Sequence, residues 1–478
     1  MADPRNKERT GGFDPGRRAA LQRLGSGLAS VALGTLLPGS ARAKTPDRTT
    51  PHFPPKARRV IYLTMAGGIS QMDLFDPKPA LAARDGQPCP EEVFAGKRLA
   101  FIRSQPTLLG SPYRFHRAGR SGIEVSELLP HFPEIADDVT LIRSMQTDEV
   151  NHTPAELKLL TGIGRFGRPS AGAWVAYGLG TDNQDLPAFV SLMSTAGQPP
   201  SSPAAWGAGF LPGRFQGVEF RGAGAPVLFL ENPPGVSPAE QRQTIDATNA
   251  LNRLSLARTG DPETDTRIAQ YELAFRMQMS VPDATDIWSE PEAVHQRYGT
   301  TPGKLSFANQ CLLARRLIER GVRFVQIFDV GWDHHSAIFD LLPVKCQAVD
   351  RACAALVTDL RERGLLEDTL VVGASEFGRT PMAQTENEMG QSAPVGRDHQ
   401  RDGFTVWLAG GGVKAGHVHG RTHELGHTVT ENPVHVDDLN ATLLHLLGLD
   451  HERLTYRSEG RDFRLTDVGG EVVRPILA

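Results

Sequence analysis

The sequence predicts an α/β fold, with a mainly parallel central sheet and helices on both faces. Three observations carry this. Six short apolar runs of β type recur along the chain, at Val60–Met65, Val139–Met145, Phe189–Met193, Val322–Phe328, Thr369–Val372 and Phe404–Leu408. Helix-length segments lie between them, notably Ser306–Arg320, Ile338–Arg363 and Val436–Leu447. Strand and helix alternate without a break from residue 303 to 375, a pattern that favours parallel strands covered on both sides.

Read in order, the first 43 residues are expected to be an export signal. Arg17-Arg18 precede a weakly apolar stretch from Leu24 to Leu37, Pro38 ends it, and Ala41-Arg42-Ala43 supplies a small-x-small cleavage pattern. Paired arginines before a mild apolar region fit the twin-arginine route, so the expected location is periplasmic or secreted. The segment holds seven basic and three acidic residues, net +4, so its removal takes the formal charge of −4 to −8. Residues 44–57, with four prolines, read as an extended linker. A single domain is expected over 58–470, with an insertion or cap at about 195–300, where a Gly-, Pro- and Ser-dense stretch that resembles no core element gives way to polar helix.

Composition narrows the function. The 478 residues are 40% apolar and 22% charged, a globular balance. The acidic charge argues against a nucleic-acid partner, and no apolar run after the N-terminus is long enough to span a membrane. Four cysteines do not make a disulfide scaffold. Cys346 and Cys353, seven apart on a helix, are about 10 Å apart along its axis and out of disulfide reach, while Cys89 and Cys311 stay open.

Ligands in open α/β folds collect at the carboxyl ends of strands, so polar clusters there carry most weight. After the first run come Gly67-Gly68, then Asp73 and Asp76, which suit either a cation or a plain turn. Asn151-His152-Thr153-Pro154-Ala155-Glu156 opens a helix, with Thr153, Pro154 and Glu156 placed for a capping box. His152 is not needed for that cap, which leaves it for function. Gly331-Trp332-Asp333-His334-His335 follows another strand. A carboxylate with imidazoles is a metal-ligand set, and adjacent histidines point apart, so one of the two is the expected ligand. Glu376 and His399 are further candidate ligands, Asp398 stands beside His399, and Arg379 and Arg397 suit an oxyanion, or else a buried ion pair with Asp398. His423-Glu424-Leu425-Gly426-His427 matches the H-E-x-x-H letters of a zinc peptidase, but that motif works on a helix, and Gly410–Gly412, Gly416, Gly420, Gly426 and Pro433 argue against one.

In this order the blocks resemble the sulfatase branch of the alkaline phosphatase superfamily. Arg59–Met65 resembles its first strand, Leu365–Gly378 the strand entering its metal loop, His435–Gly448 its closing helix, and His152-Thr-Pro154 through Leu160-Thr161-Gly162 its nucleophile helix. Gly331-Trp-Asp333, Glu376-Phe-Gly-Arg379-Thr-Pro381, Gly396-Arg-Asp-His399 and Gly410-Gly-Gly412 carry a narrower resemblance, over about 58–470, to the secreted bacterial family of unknown function numbered 1501. The resemblance implies an alkaline phosphatase/sulfatase-like fold, a divalent metal (Zn, Ca or Mn) and an anionic ester or glycan partner. The departures are specific. His152 stands where a sulfatase has the cysteine that becomes formylglycine, Gly67-Gly68 replace paired metal-binding aspartates, and Glu376 and Phe377 replace the metal loop's Asp and His or Asn. The expectation is therefore an exported metal-dependent hydrolase of sulfate or phosphate esters without a covalent nucleophile. Asp73, Asp333, His335, Glu376, Asp398 and His399 are its candidate ligands, and His152, Glu376, Arg379 and Arg397 its candidate catalytic groups. The alternative is a catalytically silent sulfatase-like fold that binds anionic glycans or a protein.

Overall fold

The computed structural model describes residues 50–478 except 97–98, 103–104, 223, 229 and 388. The expected export signal and residues 44–49 of the expected linker lie outside the described residues. The chain divides into two compact units, and the larger, Pro46–Tyr456 with Asp462–Ala478, holds the sheet.

In chain order the strands that matter are β1 (Arg59–Ala66), β2 (Phe115–Ala118), β3 (Ile123–Ser126), β4 (Val139–Gln146), β5 (Phe189–Met193), β6 (Val218–Phe220), β7 (Phe324–Val330), β8 (Thr369–Ala374), β9 (Gly378–Glu386), β10 (Ser392–Gln400), β11 (Phe404–Ala409) and β12 (His417–His419). The central sheet runs β12-β4-β11-β8-β1-β7-β5-β6. Pairs β1/β7, β1/β8, β5/β7, β5/β6 and β12/β4 are parallel, while β11 runs antiparallel to both β4 and β8. The sheet is thus mixed but mostly parallel, and β1, β4, β5, β7 and β8 all end at one edge. The pairs β2/β3 and β9/β10 are separate antiparallel hairpins.

Both faces of the sheet are covered, as the unbroken apolar runs require. In β1, Ile61, Leu63 and Met65 enter one core with residues of the Phe307–Glu319 and Ile338–Glu362 helices. Val60 and Tyr62 enter the other, with residues of the His152–Thr161, Ala171–Leu179 and Val436–Leu446 helices. This alternation follows from the two-residue period of a strand, here buried on both sides.

Three local readings change. Val218–Phe220, inside the stretch expected to hold no core element, is the edge strand of the sheet; at three residues, with glycines at 217 and 222, it is too short to show as a run. The helix expected to start at Pro154, with Thr153 as its N-cap, starts at His152 with Asn151 as its N-cap, and no side chain caps it. Glu156 instead turns inward and accepts a hydrogen bond from the Ser201 backbone N–H (3.0 Å). Residues 50–57 form no helix or strand, yet Lys56 and Ala57 hydrogen-bond the Leu446 carbonyl (2.8 and 2.9 Å) and dock that stretch on the domain. The rest of residues 195–300 is mostly the long helices Pro238–Thr259 and Pro262–Thr285 with shorter turns. All four cysteines are buried and free.

Candidate metal centre

The carboxyl edge of the sheet gathers the polar clusters. Gly67 follows β1, His152 follows β4, Asp333 and His335 follow β7, and Glu376 follows β8. His399 arrives differently, on the β9/β10 hairpin, where it pairs with Arg379. Glycine permits this crowding. Gly67 has φ +125°, and a Cβ there would lie 2.5 Å from the Asp333 backbone nitrogen; a Cβ on Gly396 would lie 2.1 Å from the His335 carbonyl carbon. Any side chain at either place would push the Asp333–His335 loop out of position.

His152, Asp333, His335 and His399 converge, with one donor atom from each within 4.8 Å of all the others. His335 Nε2 lies 2.9 Å from Asp333 Oδ1, His399 Nε2 3.4 Å from the same oxygen, and His152 Nε2 3.1 Å from Oδ2. The far nitrogen of every ring is tethered. His152 Nδ1 lies 2.7 Å from Glu376 Oε1, His335 Nδ1 2.7 Å from Gln384 Oε1, and His399 Nδ1 2.6 Å from the Val150 carbonyl. The Gln384 oxygen is fixed as the acceptor because its amide nitrogen donates to Glu386 O (3.0 Å). Each Nδ1 faces an acceptor, so in the neutral rings Nδ1 carries the proton and Nε2 presents a lone pair to the centre.

This donor set fits a divalent cation. His335 Nε2 and His399 Nε2 stand 2.8 Å apart, two lone pairs face to face, and His152 Nε2 is buried with no aligned hydrogen-bond partner. Four ligands at ordinary zinc distances would stand about 3.3 Å from one another, close to the spacings observed. Acceptors behind metal-binding imidazoles are the usual means of fixing their tautomer and direction.

Charge follows the same geometry. Burial would raise the Asp333 carboxyl, but the three imidazoles and the Arg379 charge hold it far below the usual carboxylate range. Burial would lower His152, yet Asp333 and Glu376 push it up to about 9. His399 is lowered to about 4 by burial first, with Arg379 and the other imidazoles adding to the effect. His334, one residue from the cluster, is buried and likewise lowered to about 4, chiefly by burial; it is His335 that faces Asp333.

The other expected site residues take supporting positions. Glu376 is fully buried and accepts from Gly67 N–H (2.9 Å), Ser375 Oγ (3.1 Å) and His152, so it acts behind the cluster. Arg379 ion-pairs with Asp333 (2.6 Å) and also donates to the carbonyls of Gly67, Gly68, Trp332 and Arg397. Arg397 grips Asp73 through two nitrogens (2.9 and 3.2 Å) and donates to the carbonyls of Leu109, Thr380 and Gly110. Asp73 therefore lies in an ion pair outside the cluster; Arg397 has all five N–H groups engaged, and the side chain of Arg379 is wholly buried. Asp398 accepts backbone N–H bonds from His399, Phe101 and Ile102 (2.7, 2.8 and 3.2 Å), so it pairs with neither arginine and aims no oxygen at the centre. Gln384, the Val150 carbonyl and Phe101 carried no signal in the sequence, being a lone glutamine, a backbone atom and a loop aromatic. The His423–His427 segment is a turn between the short strands Arg421–Thr422 and Val429–Glu431, with no helix.

The family is decided by the sequence of residues 57–477, which matches the family described as "Protein of unknown function (DUF1501)". The chain belongs to the DUF1501 family. Among solved structures, this DUF1501 chain is similar to a protein in the alkaline phosphatase superfamily from Vibrio parahaemolyticus, at 11% identity and a TM-score of 0.36, covering 92% of this chain and 76% of that one. It is similar also to the PsFucS1 sulfatase from Pseudoalteromonas sp. (12%, TM-score 0.34, 92% and 73% covered). A third is the phosphonate monoester hydrolase SpPMH from Silicibacter pomeroyi (14%, TM-score 0.32, 73% and 71% covered). No curated protein matches the chain.

Proposed function

We propose that this DUF1501 chain is an exported, metal-dependent hydrolase of anionic esters, sulfate or phosphate, that works without a side-chain nucleophile. One observation carries the reading: three imidazoles, each tethered at Nδ1, aim Nε2 at a single carboxylate. His152, Asp333, His335 and His399 would hold a divalent cation, Zn, Ca or Mn. Bound there, it would supply Lewis acidity, and in the case of zinc would lower the pKa of its bound water to near neutrality. The chain's own residues do the positioning. Glu376 keeps the His152 ring turned inward, Gln384 and the Val150 carbonyl do the same for His335 and His399, and Arg379 pins one oxygen of Asp333. Asp333, whose side chain is 41% exposed, marks the side open to substrate. The Arg17-Arg18 signal supports periplasmic delivery by the twin-arginine route.

Burial of Arg379 and Arg397, each engaged by a carboxylate and by backbone carbonyls, favours a second reading, a silent fold that binds an anionic glycan or a partner, because oxyanion stabilisation would rest mainly on the cation. The test is hydrolysis by chelator-stripped protein reloaded with Zn, Mn or Ca, on chromogenic sulfate and phosphate esters. Expected is turnover that returns with one of these metals and is lost in His399→Ala. Metal-loaded, folded protein that turns over none of the esters contradicts the hydrolase and leaves the binding role.

A further inference from the structure

Two aromatic rings pack on the imidazole cluster and a third belongs to the chain neighbour of Asp333; the three differ in one respect. Phe377 lies 5.1 Å from His152 and 4.4 Å from His399 between ring centroids, and is fully buried. Trp332, beside Asp333 in the chain, is buried too and spends its indole N–H on Asp329 (2.8 Å). Phe101 stands edge-on to His335 (4.5 Å, 79°) and to His399 (5.9 Å, 80°), and it is only partly buried. Of the three, Phe101 alone offers ring surface to an incoming molecule.

Its placement is built from two sides. Leu99 and Ile102, on either side of it, pack on a separate small apolar cluster that includes Met72, Val93 and Met382. That anchors the segment, while the Phe101 ring lies against His335 and His399. From the imidazole side, the buried Asp398 carboxylate holds the segment's backbone. Its Oδ2 accepts from Phe101 N–H and Ile102 N–H, while Oδ1 accepts from the N–H of His399. One carboxylate thus ties the aromatic ring and one of the converging imidazoles to the same point, with charge-assisted bonds stronger than neutral ones.

We infer that Phe101 is the specificity-determining wall of the centre, selecting esters whose leaving group is aromatic or otherwise apolar, and that Asp398 is the positioning residue that holds the wall against His335 and His399. The inference rests on the metal-centre reading above and adds a substrate class to it. An apolar ring at the rim rewards an apolar leaving group, and its edge geometry suits an aryl face best. The buried Phe377 cannot take this part.

The test uses mature protein loaded with Co(II), whose visible d–d bands report both the bound ion and what binds to it. Phenylphosphonate and methylphosphonate are titrated as probes that differ only in the apolar group. Expected for the wild type is binding of the phenyl compound about three- to tenfold tighter, the range of one aromatic contact. Phe101→Ala brings the ratio close to one, and Phe101→Tyr restores it. Asp398→Asn moves the ratio the same way while the chain still takes one equivalent of cobalt. A wild-type ratio of one, no binding of either phosphonate, or an unchanged ratio in folded Phe101→Ala overturns the wall. Cobalt loss in folded Asp398→Asn makes Asp398 a ligand and overturns its positioning role. Failure of the wild type to take up cobalt at all removes the metal reading, and this inference with it.

Discussion

Asp73 meets Arg397 with both side chains wholly buried, whereas Asp333 meets Arg379 with its own carboxylate 41% exposed. Both arginines lie on the same hairpin, and both also donate to backbone carbonyls. What separates the pairs is the company of the carboxylate. Ser70 donates to Asp73 (2.5 Å), and no imidazole is among its recorded partners; three imidazoles converge on Asp333. The first pair closes the space between the Gln71–Leu74 turn and β10. The second leaves a carboxylate oxygen and three ring nitrogens directed at a shared point. Identical residue types thus give a structural lock in one place and a ligand set in the other, and exposure and neighbouring imidazoles decide which.

Substitution should separate the pairs most strongly in stability. Asp73→Asn leaves a buried guanidinium without its counter-charge and is expected to cost about 3–5 kcal/mol in urea denaturation of the metal-free protein. Asp333→Asn also takes the counter-charge from a buried guanidinium, but the carboxylate it replaces is 41% exposed, so the cost should be smaller, about 1–2 kcal/mol, while it weakens metal binding. Equal losses from the two would erase the distinction.

The next effect sharpens the ligand side. Gln384→Ala and Glu376→Gln remove or weaken tethers without touching Nε2, and each should lower metal affinity about 10- to 100-fold, measured by competition with a coloured chelator. Asp73→Asn, in whatever fraction stays folded, should leave the affinity close to wild type. Tether variants with wild-type affinity would mean that the imidazoles are not held for a metal.

A separate effect is expected in pH. His152, pushed up to about 9 by Asp333 and Glu376 against the effect of burial, is protonated in metal-free protein at neutral pH. Its proton must leave before Nε2 can ligate, so metal binding releases a proton and apparent affinity rises with pH, by at most about tenfold per unit, levelling off near pH 9. An affinity flat from pH 6 to 9 would place His152 outside the ligand set.

Much of this was legible in the sequence, for reasons that differ by element. Phe189–Met193 is found residue for residue, and the runs at 60–65, 139–145, 369–372 and 404–408 each extend by one or two residues, because strands buried on both faces read as continuous apolar runs. The Phe307–Glu319 and Ile338–Glu362 helices lie within one residue of the expected ends. The hydroxyl and acid of Thr153–Glu156 suggested a cap, but burial of Glu156 against Ser201 outweighed local capping chemistry. Asp333, His335 and His152 stood out by residue type and by position after strands, and His399 by residue type just ahead of the Phe404–Leu408 run. Asp73 and Arg397 stood out equally, since no local pattern tells a buried ion pair from a ligand. Gln384 and the Val150 carbonyl were illegible because their part depends on a hairpin register and a backbone direction that exist only in three dimensions.

Metal analysis of the mature protein, purified after native export and without affinity-tag histidines, tests the central claim most directly. The account predicts close to one equivalent of a divalent metal per chain, lost in His335→Ala and in His399→Ala but kept in His423→Ala. Protein that stays metal-free after exposure to Zn, Mn and Ca, or that loses its metal only when His423 is replaced, would contradict it.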